Sequence, residues 1–486
     1  MVDQQKQSWR IIAPVAAAIA IALVPVPEGL PVNAWYYFAV FVGIVTGLVL
    51  EPLPNSAISL IGISFIAVLA PWVLYAPADM AKPGFNMAGQ TAKWALSGFS
   101  STTVWLVGGA FIFALGYEKT GLGRRIALVL VRVLGKNTLT LGYAVALSDA
   151  VLAPFTPSTT ARSAGLLFPV VRNLPALYES KPSDPSARKI GGYVLWTTFA
   201  ATNITSSMFM TGCAPNFLAL EFTRKIAHVD ITYAQWMTAS LPYALPLLLV
   251  LPLLVYLVYP PQIKRSEQVS DWARDELVKM GPISRHEQIL TALVLGAMAM
   301  WIVGSAFMDA ALVALTAVSL MLIFRVVTWG DIARDTSAWT TIFLLATLLT
   351  LADGLSQVGF VKWFAQFVAS HVHDMQPMTT IMILVAVYFY AHYLFASLTA
   401  HTTALFPVML GVGMGIPGIP IDKLALSLAL TTGLMGVLTP YASGAAIPYY
   451  SSGFIKPAHF WMLGGICGTV FIAAFLLIGI PLIMVM

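Results

Sequence analysis

The chain has 486 residues, 58% of them hydrophobic and only 10% charged, with a mean hydropathy of +0.82. This composition excludes a soluble globular domain and describes a chain dissolved in lipid. The net charge of +5 does not read as a nucleic-acid surface, because the Lys and Arg residues sit in joints between apolar runs; Cys213 and Cys467 have neither metal-ligand spacing nor a disulfide framework.

Apolar runs long enough to cross a core of about 30 Å as helices follow one another from the start. Residues 10–25 lack a small-residue cleavage signal and lead directly into further spans, which predicts a retained helix rather than a signal peptide. Spans follow at 33–50, 56–75, 97–117, 188–227, 236–259, 287–307, 310–327, 338–356, 421–454 and 458–485, eleven crossings in all. The stretches 138–172 and 377–415 each carry a polar break near the middle, and a crossing there would upset the charge balance of the loops. Both are read as re-entrant hairpins.

With the N-terminus in the cytoplasm, 19 of the 26 Lys and Arg fall on that side, 6 fall outside and Arg162 lies in a hairpin. That asymmetry fits a multi-pass bacterial inner-membrane protein. The joint 260–286 carries Lys264, Arg265, Arg274, Lys279 and Arg285 among several acids, and predicts a solvated cytoplasmic linker between two halves. The expected fold is an all-α polytopic membrane protein forming one integral domain over residues 1–486. Its first repeat core covers 94–259 and its second repeat covers 287–486.

The halves share an ordered pattern. A shift of 238 residues lays Thr102, Thr103, Gly116 and Gly121 over Thr340, Thr341, Gly354 and Gly359. Thr159 and Thr160 meet His401 and Thr402 at a shift of 242, and Thr211 meets Thr439 at 228. Each half runs span, short amphipathic helix, hairpin, broken helix. An odd number of crossings separates equivalent points, so the two repeats are inverted in the membrane, as in secondary transporters.

Non-helical backbone at membrane depth is tolerated only inside protein or along a wet cavity, so breaks mark a site. The first hairpin turns at Ala153-Pro154-Phe155-Thr156-Pro157-Ser158-Thr159-Thr160. Pro154 interrupts the incoming helix, Thr156 is the expected N-cap, and the outgoing helix is expected to open at Ser158. The second turns at Ala396-Ser397-Leu398-Thr399-Ala400-His401-Thr402-Thr403. Two long helices break at Thr211-Gly212-Cys213-Ala214-Pro215-Asn216 and at Thr439-Pro440-Tyr441-Ala442-Ser443-Gly444. Four half-helix ends near mid-membrane, with free N–H groups, partial positive charge and hydroxyls, favour an anion; a dicarboxylate suits two hairpins at once.

Asp149 and Arg162 lie in the two legs of the first hairpin at similar depth. Either they pair, or Arg162 reaches a substrate carboxylate bidentately. His401 sits in the second turn with no acid within ten residues, whereas His392, a helical leg away, reads as structural. His371 and His373 are too few for a metal site, and no cofactor is indicated. No His-Glu-x-x-His, nucleophile elbow or complete acid/base constellation supports an intramembrane enzyme.

The segments APFTPSTTARSAGLLFPV at 153–170, ASLTAHTTALFPV at 396–408 and LTPYASG at 438–444 resemble the divalent anion/sodium symporter family. FSSTTVWLVGGAFIFALGYEKTGLGRRIA at 99–127 and DPSARKIGGY at 184–193 are similar to its exchanger branch, nearest the bacterial citrate/succinate antiporters. The resemblance covers nearly the whole chain. It implies a homodimer in the lipid bilayer whose hairpin-bearing part moves against a scaffold in an elevator-type motion.

The family carries a Ser-Asn-Thr motif at each hairpin tip, where Asn and Thr contact substrate carboxylates and nearby oxygens hold sodium in the symporters. Here the tips read Ser158-Thr159-Thr160 and Ala400-His401-Thr402. The resemblance implies substrate contacts for Ser158, Thr160 and Thr402, with Thr211 and Thr439 next. Thr159 and His401 stand at motif positions with changed chemistry. An imidazole offers sodium no oxygen and repels it when protonated. The helix ends, His401 as imidazolium and Arg162 can supply positive charge instead. The expected function is therefore sodium-independent exchange of di- or tricarboxylates such as citrate, tartrate, 2-oxoglutarate or malate against succinate. Sodium-coupled uptake of the same anions is the alternative.

Overall fold

The computed structural model describes residues 2–304, 307–369 and 376–486, so the His371–His373 pair falls outside it. Among the described residues the regular structure is helical. Nine stretches are long and apolar enough to cross a membrane: Val32–Leu50, Met87–Thr120, Thr138–Phe155, Tyr233–Val258, Arg285–Val303, Thr336–Gln357, Pro377–Leu394, Leu398–Gly415 and Pro457–Val485. Three of them are legs of the two expected hairpins. Trp9–Ala22, Asn55–Val68 and Ala310–Ile323 are shorter apolar helices.

The helices fall into two packed groups. Val2–Ala22, Val32–Leu50, Asn55–Val68, Thr102–Thr120, Arg285–Val303, Ala310–Ile323 and Thr336–Gln357 pack on one another. The second group is built around Gly191–Met208, every residue of which is buried, and Ile421–Leu434, which crosses it. Both hairpins, Tyr233–Val258 and Pro457–Ala474 surround that crossing.

The two central helices meet at Gly433, where an added Cβ would lie 2.4 Å from the Ser207 amide nitrogen. Ser207 Oγ donates to the Leu430 carbonyl at 2.5 Å beside it. Backbone faces backbone here, so neither side can yield. Gly433→Val is expected to destabilise the protein by about 3 kcal/mol, the upper end for an overpacked core. A fall in the thermal midpoint of the detergent-solubilised protein checks this.

Two glycines paired by the 238-residue shift end helices in the same way. Gly121 and Gly359 both have positive φ, 77° and 85°, a conformation that penalises any Cβ. Each ends a long helix and turns the chain into a short amphipathic one, Leu122–Leu134 and Phe360–Ala369.

The joint 260–286 is mostly exposed, and one helix within it is seated on the body. Its Glu267–Met280 helix buries Val269 and Ala273 against Leu122–Leu134. Ser266 N–H donates to the Lys136 carbonyl at 2.8 Å, and Ser270 Oγ to the Arg132 carbonyl at 2.6 Å. Arg125 meets the buried Glu287 at 2.5 Å. Two apolar residues four apart among the charges, Val269 and Ala273, seat that helix.

Candidate functional site

Both expected hairpins are helix–turn–helix units. The first runs Thr138–Leu152, a 3-10 turn Ala153–Phe155, an irregular Thr156–Ser158, then a helix from Thr159 that opens with π turns over Thr160–Leu167. Ser158, not Thr156, caps the outgoing helix, its Oγ accepting from the Ala161 amide at 3.1 Å. Thr156 Oγ1 instead donates back to the Leu152 carbonyl at 3.0 Å. The second hairpin runs Pro377–Tyr390, a 3-10 turn Ala391–Leu394, and Leu398–Gly415, with Ser397 as its cap.

The long helices break where the sequence places Pro and Gly. Gly191–Met208 gives way at Phe209 and Cys213, both extended, and resumes as Ala214–Phe222 with Pro215 in its first turn. The side-chain Nδ2 of Asn216 donates to the Ser206 carbonyl at 2.7 Å and to the Phe209 carbonyl at 3.2 Å, satisfying carbonyls that the break orphans. The other helix gives way after Val437 and resumes at Ala446.

These four irregular segments converge. Thr211 Oγ1 donates to the Pro154 carbonyl at 2.5 Å, joining the first break to the first tip. A Cβ on Gly444 would stand 2.5 Å from Thr160 Oγ1, joining the second break to the same tip. His392 Nε2 lies 3.0 Å from the Ala442 carbonyl oxygen, joining the second break to the second hairpin. The half-helices beyond the breaks are exchanged: Tyr449 OH meets Ser163 Oγ of the first hairpin at 2.9 Å, while Phe222 packs on Phe406 of the second at 6.2 Å between ring centroids.

Arg162 and Asp149 pair across the first hairpin, Nε lying 3.2 Å from both carboxylate oxygens, and both side chains are fully buried. Nη1 donates to the carbonyls of Thr156 and Gly212 at 2.6 and 2.7 Å. Nη2 donates to Ser206 Oγ at 3.0 Å and Thr205 Oγ1 at 3.3 Å. All five guanidinium N–H groups are thus engaged. Asp149 also accepts from the hydroxyls of Thr202 and Thr205. In this conformation the arginine braces the tip against the first break.

His401 is the opposite case. It is buried between Tyr388, Phe395 and His392, with ring centroids 4.5, 4.9 and 5.1 Å away, and neither ring nitrogen has a hydrogen-bond partner among the described residues. Thr439 Oγ1 is likewise buried and unpartnered. Thr402 is buried but occupied, donating to the Leu398 carbonyl at 2.8 Å and accepting from Tyr388 OH at 3.4 Å. At the first tip Ser158 and Thr159 are half-buried and Thr160 is exposed. Of the eight candidates, then, Ser158, Thr159 and Thr160 are at least partly exposed, His401 and Thr439 are buried without partners among the described residues, and Arg162, Thr211 and Thr402 hold the frame.

Sequence patterns singled out neither Tyr388 and Tyr449 nor the hydroxyls of Ser163, Thr202, Thr205 and Ser206, and placed Asn216 in the first break without a role. The only signal is the run of hydroxyl residues in Thr202-Asn203-Ile204-Thr205-Ser206-Ser207, unusual for a fully buried helix. Among the described residues no cluster of His, Cys, Asp and Glu could hold a metal ion.

Residues 5–486 match the family described as the sodium:sulfate symporter transmembrane region. The chain is 50% identical over 475 residues to the citrate/succinate antiporter of Escherichia coli K12, covering 98% of each. It is 43% identical over 472 residues to the L-tartrate/succinate antiporter of the same strain, covering 97% of each. Among solved structures the fold is similar to that of the Alcanivorax borkumensis YdaH transporter, with a TM-score of 0.51 and 13% identity over 87% of this chain and 97% of that one.

Proposed function

The chain belongs to the divalent anion:sodium symporter family, and from that premise we propose that it is a carrier exchanging small di- or tricarboxylates across the membrane. It is a transporter rather than an enzyme. What carries the reading is likeness over the whole length to relatives named as citrate/succinate and L-tartrate/succinate antiporters. The site is built for such an anion. Two hairpin tips and two helix breaks converge, and their hydroxyls and helix N-termini suit carboxylates at both ends of a short molecule.

Sodium is not required in this reading. His401 stands where sodium-coupled members carry a motif asparagine, and as an imidazolium it supplies the positive charge that a bound cation would otherwise supply. Ser158, Thr159 and Thr160 take one carboxylate, and His401 with Thr439 takes the other. Arg162, Thr211 and Thr402 keep the tips in register. A carrier with no coupling ion to reset it moves only when loaded, so transport in one direction is tied to transport in the other.

The same reading extends to architecture. The protein lies in the bacterial inner membrane with its N-terminus in the cytoplasm, and eleven crossings and two re-entrant hairpins form two inverted repeats. The group of helices holding the hairpins moves against the other in an elevator-type motion within a homodimer. The separation into two packed groups supports this part.

Counterflow tests the function. Proteoliposomes loaded with succinate are expected to accumulate labelled citrate or tartrate equally well with choline in place of sodium, and not at all when empty. Uptake into empty vesicles that needs a sodium gradient would establish the symporter instead.

A further inference from the structure

We propose that Tyr449, from the second half of the chain, is a positioning residue for the first hairpin tip. It holds the outgoing leg in its wide turns and so aims Ser158, Thr159 and Thr160 at one carboxylate of the carried anion, without touching the anion itself. The inference rests on the reading of the chain as a carboxylate exchanger, and it assigns the geometry of the first tip to both halves of the chain.

The outgoing leg is unusual at its start. Thr160–Leu167 is wound in π turns, and the Phe168 N–H donates to the Ser163 carbonyl, five residues back rather than four. Turns of this kind are rare, occur mostly singly inside α-helices, and gather at functional sites. A run of eight residues needs contacts from outside to keep it. Were the leg to tighten into an α-helix, its two ends would slip by one residue, a rotation of about 100°. Ser158, Thr159 and Thr160 would then face a different way relative to Phe168 and the rest of the leg.

Two groups hold the wide register. Arg162, buried within the turns, is fixed by Asp149 and by the carbonyls of Thr156 and Gly212. At the next residue the hold comes from the other half of the chain. Tyr449 lies on the short helix Ala446–Ser451 beyond the second break and is fully buried. Its OH donates at 3.1 Å to the Ser163 carbonyl, the same one that accepts the Phe168 amide, and lies 2.9 Å from Ser163 Oγ. In an α-helix that carbonyl would accept from Leu167 instead and turn away from the phenol. The tyrosine ring is itself confined, its centroid 5.0 Å from that of Phe168 and 5.6 Å from that of Phe199. A line of hydroxyls joins this point to the ion pair, because Thr202 Oγ1 lies 2.8 Å from Ser163 Oγ and 2.9 Å from Asp149 Oδ1.

The second break meets the same leg once more. A Cβ on Gly444 would stand 2.5 Å from Thr160 Oγ1, so the break passes directly over that hydroxyl. Gly444 and Tyr449 therefore reach the leg at Thr160 and Ser163, nearly one turn apart, on the segment that presents the tip hydroxyls.

Tyr449→Phe tests this, because it removes one hydroxyl and keeps the ring between Phe168 and Phe199. Counterflow of labelled succinate is expected to show a half-saturating concentration raised about fivefold, the effect of one neutral hydrogen bond, with the maximal rate per folded carrier nearly unchanged. A tyrosine that only stabilised the fold would lower the amount of active carrier, and so the maximal rate, at an unchanged half-saturating concentration. Thermal-shift titration with succinate reads the same affinity on the folded fraction alone, should the variant be obtained in low yield. In a Thr160→Ala background the Tyr449→Phe change is expected to have a smaller effect, because one of the hydroxyls that it aims is already gone. An unchanged half-saturating concentration in Tyr449→Phe, or equal factors in the two backgrounds, would overturn the positioning role. A wild type that neither exchanges succinate nor is stabilised by it would instead overturn the carrier reading beneath it.

Discussion

Arg162→Ala is expected to stop carboxylate exchange and to lower the thermal midpoint sharply, and Asp149→Ala to do nearly the same. Each change strands a fully buried charge whose partner stood 3.2 Å away. Removing one member of a buried pair costs about 3–5 kcal/mol, chiefly because the survivor has no compensation. Arg162→Ala also abandons the carbonyls of Thr156 and Gly212, which fix the first tip against the first break. The double substitution removes both charges together, so it is expected to melt above either single variant and to recover part of the exchange. It stays below the wild type because those two carbonyls remain unpaired. A double-mutant cycle on thermal midpoints and counterflow rates reads this directly. Additive losses in stability would remove the brace. A well-folded double variant with no transport would return Arg162 to the substrate.

The positions of the breaks were legible because their cause is local. Pro154, Pro215 and Pro440 stand beside hydroxyl and glycine residues at the helix ends observed at Phe155, Met208 and Val437, whereas Pro242, Pro246 and Pro252, in a run without glycine, leave Tyr233–Val258 continuous. What the hydroxyls do there was less legible. Thr156 has the composition of a cap but turns its hydroxyl back to Leu152, while its carbonyl serves an arginine in the opposite leg. That choice depends on Arg162 being drawn into the turn by Asp149 and Gly212, which no local pattern carries. The same holds for Thr211 and Thr402, placed correctly near the tips but holding backbone and tyrosine rather than standing open. Tyr388 and Tyr449 could not be found from spacing at all, since an apolar tyrosine becomes a frame element only when another element brings it a hydroxyl. In the joint 260–286 the charges outweighed Val269 and Ala273, two small apolar residues that suffice to seat a helix.

His401→Ala is expected to abolish exchange while leaving the fold intact, the reverse of the Arg162 outcome. The difference lies in what each side chain already holds. Arg162 is saturated by its own protein, so its loss is felt in stability; both nitrogens of His401 are unspent, so its loss is felt when the anion arrives. The ring contributes packing against Tyr388, Phe395 and His392, and deleting it leaves a small gap that these aromatic neighbours can partly fill. Its other contribution is charge. A dianion moved into a buried site needs compensation, and a hydrogen bond between charged groups is worth about 1.5–3 kcal/mol, or roughly 10- to 150-fold in affinity. Loss at the upper end takes binding out of the working concentration range. Thermal-shift titration with citrate and succinate separates the two effects, since the ligand-free midpoint of the variant should stay near the wild type while the ligand-induced rise disappears. A variant that keeps the rise and exchanges normally would deprive His401 of its counter-charge role. It would then leave sodium as the candidate for that charge, to be sought in the same titration by comparing sodium with choline.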